Sequence, residues 1–205
     1  MLKKRGFVIF NLVLVLTLSL FVSLSLTSFA VEQPEIPTLE TPLITTTCGQ
    51  SPGALMIWVL SKQIKLPCDR DDILTAEKLQ LKEEAGTPYK TLIITTGTSM
   101  KGMGAAGVDI DFEIARIKAV IEEAKKQGIL IIGAHIEGMA RRVDDTDAAS
   151  IAAVVPDSKL LLIREDSNED DYFTKAAKEQ NVPIVLFKET LDLSAVFKQL
   201  FNMEG

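Results

Sequence analysis

A glycine-rich stretch that contains a lysine is the part of this sequence best suited to bind an anion. Gly97–Gly107 holds four glycines together with Lys101, and a helix is predicted to begin just beyond it. Glycines allow backbone N–H groups to turn toward an anion, and a helix start adds positive potential. The alternative is a flexible connection in which glycine only allows the turn. The candidate ligand-binding residues of this stretch are Thr98, Ser99, Lys101, Gly102, Gly104 and Gly107.

A second candidate group contains the single histidine of the chain. Glu137 follows His135 by two residues, and Arg141 and Arg142 come soon after. Arginine binds carboxylates and phosphates through paired hydrogen bonds, so we expect these four residues to contact a ligand. The alternatives are arginines that face nearby aspartates in solvent and a histidine satisfied by the backbone of a tight turn. For His135 that structural role is favoured over a catalytic one.

A third group, Gly49, Gln50 and Ser51, follows the first predicted strand and completes the candidate ligand-binding set. No catalytic residues are predicted, because neither Ser51 nor Ser99 lies in a nucleophile-elbow pattern. One histidine and two well-separated cysteines indicate no zinc site. The spacing Gly102-x-Gly104-x-x-Gly107 matches a dinucleotide fingerprint, but about five residues separate it from the preceding strand. The sequence therefore predicts no metal and no cofactor.

Alternating strands and helices position these groups. Apolar segments rich in β-branched residues indicate buried strands, and amphipathic segments between them indicate helices. One helix has Ile110, Ile114, Ile117 and Ile121 on one stripe. Strands apolar on both faces require a sheet covered by helices on both sides. The prediction is a doubly wound three-layer α/β sandwich, Rossmann-like or flavodoxin-like, with a mostly parallel five- or six-stranded sheet. The strands are predicted at 43–47, 64–68, 91–96, 129–132, 159–163 and 184–187.

The loops after parallel strands meet at one edge of the sheet, and ligands bind there near the point where strand order reverses. The three candidate groups all follow predicted strands. We therefore expect them to form the rim of one pocket for an anion.

The amino terminus has the pattern of a secretory signal. Lys3, Lys4 and Arg5 precede an uncharged apolar run, and Ser28-Phe29-Ala30 is a signal-peptidase pattern. We predict a signal peptide over residues 1–30, with an uncleaved anchor as the alternative because the run approaches the length that spans a bilayer. Residues 31–42 are predicted as a linker and residues 43–205 as one α/β domain. The expected location is extracytoplasmic, in the periplasm or on the outer face of the cytoplasmic membrane.

Charge and cysteine content narrow the choice of partners. All 28 acidic residues but only 19 of the 22 basic ones follow residue 30, so that part has a formal charge of −9. A domain this acidic, without a basic stripe, is a poor binder of nucleic acid. Cys48 and Cys68 permit a disulfide in an exported protein, and two buried thiols are the alternative. Contact with the membrane is expected only through an uncleaved signal segment.

Three motifs carry a resemblance to a known family. Thr46–Pro52, Lys101–Gly107 and His135–Gly138 with the arginine pair resemble an uncharacterised family of exported bacterial proteins, domain of unknown function six-three-zero-five. The resemblance covers the chain beyond the signal. It implies export and an α/β fold, and it brings no established activity or catalytic residues.

The favoured function is an extracytoplasmic binding protein for a small anionic ligand, associated with an envelope or transporter protein. One alternative is a hydrolase or transferase acting on a small phosphorylated or carboxylated substrate. Another is a protein-docking module that uses the acidic segment Glu165–Asp171 as its contact surface.

Overall fold

Six parallel strands form the central sheet of the computed structural model, which describes residues 34–203. The strands are β1 Leu43–Cys48, β2 Cys68–Arg70, β3 Thr91–Thr96, β4 Leu130–His135, β5 Leu160–Arg164 and β6 Ile184–Phe187. Their order is β2-β1-β3-β4-β5-β6. This confirms the α/β sandwich, and the order is the flavodoxin-like one, with its switch point between β1 and β3.

The four central strands, β1, β3, β4 and β5, are buried because helices cover both faces of the sheet. Successive side chains of a strand point to opposite faces, so Ile93 and Ile132 pack on one face. Leu92 and Ile131 pack on the other face. This two-sided burial explains why the strands are continuous apolar and β-branched runs rather than alternating ones.

Seven α-helices surround the sheet in the described part of the chain. They are α1 Gly53–Gln63, α2 Ala76–Glu84, α3 Met100–Ala106, α4 Ile110–Lys126, α5 Asp145–Val154, α6 Tyr172–Gln180 and α7 Leu193–Leu200. Buried residues of α1 and α7 pack against one face of the sheet. Those of α2, α4, α5 and α6 pack against the other. Helix α3 follows β3 directly, beyond the carboxyl edge of the sheet.

The second strand lies later in the chain than predicted. The segment after α1 does not adopt the extended conformation of a strand, because the Leu66 N–H donates to the Ser61 carbonyl at 2.9 Å. Lys65 is left-handed with φ +59°, which completes the end of the helix. The apolar residues Ile64 and Leu66 therefore pack as a helix terminus, and the strand begins only at Cys68.

Part of the predicted linker contacts the domain. The Leu39 side chain is buried in the core, and its N–H donates to the Leu200 carbonyl at 2.8 Å. The predicted signal and residues 31–33 lie outside the described residues. Between Pro34 and Met203, no helix has both the length and the apolar character needed to cross a membrane.

Candidate functional site

The loops after β1 and β3 contact each other at the switch point of the sheet. Gln50 and Thr98 pair as an isolated antiparallel bridge, and the Ser99 N–H donates to the Gly49 carbonyl at 2.8 Å. Gln50 has a left-handed backbone, with φ +56°. The structure thus places Gly49, Gln50, Thr98 and Ser99 side by side.

Carboxylates of the chain itself bind the backbone amides of these loops. The Gly49 N–H donates to Glu113 Oε2 at 2.9 Å, and the Thr98 N–H donates to Asp147 Oδ1 at 2.7 Å. The Gly97 N–H donates to the Ser150 hydroxyl at 3.0 Å. Glycine-rich loops at this edge are typical anion sites, and here internal acidic and hydroxyl groups occupy the amides.

Glu113 belongs to a buried ion pair on α4. Arg116 Nε and Nη2 lie 2.9 and 2.7 Å from its two carboxylate oxygens. The same guanidinium donates to the carbonyls of Leu74 and Thr47, at 2.9 and 2.6 Å. This pair therefore connects α4 to the end of β1 and to the segment after β2. Sequence reasoning missed it, and the available signal was a glutamate and an arginine three positions apart beside the apolar stripe of α4.

The prediction of a glycine-rich loop over 97–107 is wrong for most of its length. Residues Met100–Ala106 form α3, because the Ser99 hydroxyl caps the Gly102 N–H at 3.0 Å and Gly107 ends the helix in a left-handed conformation. A Cβ at Gly102 would lie 2.1 Å from the Gln50 carbonyl oxygen. Gly102 therefore allows α3 to pack against the turn after β1. Lys101, Gly104 and Gly107 are exposed.

The amino terminus of α1 is capped from another loop. Pro52 occupies the cap position, and no side chain of its own turn caps the helix. Glu137 provides the acceptor instead, since the Gly53 N–H donates to its Oε1 at 3.0 Å. Ser51 is buried, and its hydroxyl lies 3.5 Å from Thr47 Oγ1.

His135 is fully buried and does not face a ligand, contrary to the expectation that it contacts one. Its Nε2 lies 3.3 Å from the Gly138 carbonyl and its Nδ1 lies 3.0 Å from Thr96 Oγ1. Since the carbonyl can only accept, Nε2 carries the proton and Nδ1 accepts from the threonine. Burial lowers the pKa of His135 to about 4. The ring is therefore neutral, and it packs against the Phe173 ring in a tilted arrangement with centroids 5.3 Å apart.

Both arginines after β4 have internal partners. Arg141 Nε lies 3.1 Å from Glu137 Oε2, and Arg141 Nη1 donates to the Thr98 carbonyl at 2.7 Å. Arg142 forms two 2.9 Å bonds to Asp170, and this contact lowers the pKa of Asp170 to about 2. The two arginines that were expected to bind a ligand are therefore engaged within the domain. Arg142 pairs with Asp170 rather than with Asp144 or Asp145.

A groove lies elsewhere, along the open edge of β2. We call it the β2 groove, and its volume is about 720 Å³. Helix α1, strand β2, the segment after β2, helix α2 and the residues before β3 form it. The side chains that line it include Ile44, Trp58, Lys62, Cys68, Asp69, Arg70, Asp71, Leu74, Lys78, Leu81, Lys82, Ala85, Thr87 and Tyr89. None of the residues predicted to bind a ligand lines this groove.

The family model described as Domain of unknown function (DUF6305) matches residues 40–201. The chain belongs to this family. No curated protein matches the sequence of this DUF6305 domain significantly.

Several solved structures are similar to the DUF6305 domain at low identity. The psychrotrophic esterase EstA from Pseudoalteromonas sp. is 8% identical with a TM-score of 0.35, over 79% of this chain and 96% of that one. A GDSL-like lipase from Bacteroides thetaiotaomicron is 14% identical with a TM-score of 0.33, over 70% and 66%. An acetylxylan esterase from Geobacillus stearothermophilus is 13% identical with a TM-score of 0.31, over 82% and 84%. These scores are too low to support a function for the domain.

The two cysteines of the DUF6305 domain do not form the disulfide that the sequence permits. Both are free and buried. Cys68 is paired with Leu43 in the sheet register, whereas Cys48 lies five residues farther along β1. At about 3.3 Å per residue they are roughly 16 Å apart along the strands, and a disulfide needs Cα atoms within about 7 Å. Burial raises the pKa of each thiol to about 11.

Metal-binding groups are not assembled in the described part of the DUF6305 domain. Over residues 34–203, no group of three or more histidine, cysteine, aspartate or glutamate side chains is arranged to hold a metal ion. The acids at the carboxyl edge bind backbone amides and arginines instead.

Proposed function

We propose that this domain is a binding protein for an anionic ligand and that the ligand occupies the β2 groove. The observation that carries the proposal is the composition of the groove. Four basic and two acidic side chains line it, together with the aromatic rings of Trp58 and Tyr89. Concave sites with apolar walls and a few charged groups are the usual form of small-molecule sites.

The charge of the groove is opposite to that of the domain around it. The residues after position 30 have a formal charge of −9, whereas the groove has an excess of two positive charges. A local positive region in a negative protein attracts anions more strongly than the rest of the surface does. The ligand class is the one expected from the sequence, at a different place in the fold.

Hydrolysis at the carboxyl edge is the alternative, and the site lacks a base for it. A serine nucleophile needs a base within hydrogen-bond reach. The hydroxyl of Ser51 has Thr47 Oγ1 as its hydrogen-bond partner in the described residues. The single histidine is buried with both ring nitrogens bonded. We therefore expect no turnover of p-nitrophenyl acetate above the rate of a Ser51→Ala variant.

The setting of the proposed function is extracytoplasmic. This rests on the basic start, the apolar run and the Ser28–Ala30 pattern of the amino terminus. In that setting, a receptor that delivers an anion to an envelope or transporter protein is the role we favour.

Ligand-induced stabilisation tests the proposal. Purified protein is melted with inorganic phosphate, phenyl phosphate, acetate and benzoate at constant ionic strength. A ligand at about 100 times its Kd raises the free energy of unfolding by roughly 2.7 kcal/mol, which shifts the melting temperature measurably. We expect at least one of the four anions to stabilise the protein.

Matched variants locate the site. The double variant Lys62→Ala/Arg70→Ala removes two groove cations, and Lys101→Ala removes an exposed cation at the carboxyl edge. Stabilisation that is lost in the double variant and kept in Lys101→Ala supports the groove. The reverse pattern, or no response to any of the four anions, would overturn the proposal.

A further inference from the structure

The positive charge of the β2 groove is concentrated at one end. Lys78 forms an ion pair with Asp71, and the Lys82 ammonium lies 3.8 Å from the Asp69 carboxylate. These two lysines are thus largely neutralised by acids that line the same groove. The excess positive charge of the lining comes from Lys62 and from Arg70, whose acidic partner Asp72 does not line the groove.

These two cations lie beside Trp58. The Lys62 ammonium is 5.5 Å and the Arg70 guanidinium is 5.9 Å from the centroid of the indole ring. Within residues 34–203, no carboxylate lies at ion-pair distance from Lys62, and the partner of Arg70 is the partly exposed Asp72 at 3.5 Å. Among the four cations of the groove, Lys62 is therefore the one least neutralised by the acids of the described residues.

Apolar side chains form another part of the groove. Ile44 and Leu74 are buried and line its floor, and Leu81 and Ala85 of the α2 end are exposed beside them. Leu81 has 63% of its surface accessible, which is high for a leucine next to a cavity. A small inorganic anion bound at Lys62 and Arg70 would leave the exposed surface of Leu81 and Ala85 in water.

We infer that the β2 groove binds an amphipathic anion. Its carboxylate or phosphate lies between Lys62 and Arg70 beside Trp58, and its hydrocarbon body covers the exposed apolar surface of Leu81 and Ala85. This inference rests on the proposed function and adds the chemical class of the ligand. The driving force for the body is burial of apolar surface, and that for the head is charge pairing.

A homologous series of ligands tests the apolar half. Binding of acetate, butyrate, hexanoate and octanoate is measured by calorimetry with the purified protein. Each methylene that enters an apolar site contributes about 0.8 kcal/mol, which is about a fourfold change in Kd. We expect Kd to fall by about an order of magnitude per two methylenes until the apolar surface is covered. Equal Kd values along the series would overturn the inference.

A pair of leucine variants locates the hydrocarbon body. Leu81→Gln changes an exposed groove residue, and Leu191→Gln changes a leucine that is 71% exposed outside the groove. Because both side chains are largely in solvent, both variants should fold. We expect Leu81→Gln to weaken octanoate binding several-fold and to leave inorganic phosphate binding unchanged. If both variants change the Kd of octanoate equally, the hydrocarbon part of the ligand does not contact Leu81, and the inference is refuted.

The two proposals can fail separately. If inorganic phosphate binds and the double variant Lys62→Ala/Arg70→Ala abolishes its binding, the anion-binding function stands. A flat carboxylate series in the same protein then refutes only the amphipathic ligand. If neither phosphate nor any carboxylate binds, both proposals fail together.

Discussion

Acidic side chains take the positions at the carboxyl edge where an external anion was expected. Glu113 and Asp147 accept hydrogen bonds from backbone N–H groups of the loops after β1 and β3, and Glu137 accepts one from the first residue of α1. Such bonds to a carboxylate satisfy loop amides that would otherwise be buried without an acceptor. The glycine-rich loops are therefore consistent with anion recognition, but the anions are part of the chain.

Glu137→Ala should convert one of these contacts into a weak site for added anions. The change removes the acceptor of the Gly53 N–H and the partner of Arg141 Nε. We expect the free energy of unfolding to fall by about 1–3 kcal/mol. Formate or phosphate should then raise the melting temperature of the variant more than that of the unchanged protein.

The exposed Glu169→Ala provides the control, because that side chain lies at the surface. Chloride at equal ionic strength separates specific rescue from general screening. If formate and chloride act alike on Glu137→Ala, the carboxylate is not occupying an anion position.

The buried histidine should make stability depend on pH. The pKa of His135 is about 4 in the folded protein and about 6.5 when unfolded. Between these values the unfolded chain binds the proton and the folded one does not, so stability falls as pH decreases. The contribution is complete above about pH 6.5, and about 3 kcal/mol is lost by pH 4.

Thermal unfolding of the unchanged protein and of His135→Gln between pH 4 and 7 measures this effect. The difference in free energy of unfolding between the two proteins should change with pH in favour of the variant as pH falls. A difference that stays constant over this range would show that His135 titrates normally in the fold.

At the scale of elements, α3 shows how glycine can mislead prediction. Gly102 and Gly104 lower helix propensity, and together with Gly97 and Gly107 they indicate a loop. The helix forms because Ser99 caps its first turn and because Gly102 packs on the Gln50 carbonyl. The two interior glycines therefore have different roles, and only one of them is required by packing.

Alanine substitution separates these roles within one helix. Gly102→Ala places a Cβ 2.1 Å from the Gln50 oxygen, so we expect a loss of at least about 1–3 kcal/mol. At Gly104 a Cβ meets nothing within 4 Å, so alanine should stabilise by up to about 1 kcal/mol. Chemical denaturation of both variants measures the two changes. Equal effects would show that α3 does not pack closely on the turn after β1.

At the scale of the whole molecule, the domain separates a closed polar edge from an open groove. The carboxyl edge is held by ion pairs and hydrogen bonds between loops and helices, such as Glu113–Arg116 and Glu137–Arg141. The β2 groove lies where the sheet ends, because β2 has only three residues and one neighbouring strand. The usual ligand position of this fold class is thus occupied by internal hydrogen bonds, and the β2 groove lies at the edge of the sheet instead.

The sequence by itself determined the fold class and most of the elements. The strand Thr91–Thr96, the helix Ile110–Lys126 and the strand Ile184–Phe187 lie where periodicity predicted them. Hydrophobic periodicity predicts these elements because the faces that an element buries fix the spacing of apolar residues within that same element. The family relationship was also carried by short local motifs, and the match over residues 40–201 confirms it.

Only the tertiary structure decided which polar groups meet. The Gly49 amide and Glu113 are 64 positions apart, and the Gly53 amide and Glu137 are 84 apart. Packing between elements that are distant in sequence determines which charged groups become partners, and no local periodicity of the sequence predicts those pairs. The β2 groove was invisible for the same reason, since Trp58, Arg70 and Tyr89 come from three separate segments. The sequence led to the hypothesis of an anion-binding site, and the groove to which we assign that site is formed only when these distant segments pack together.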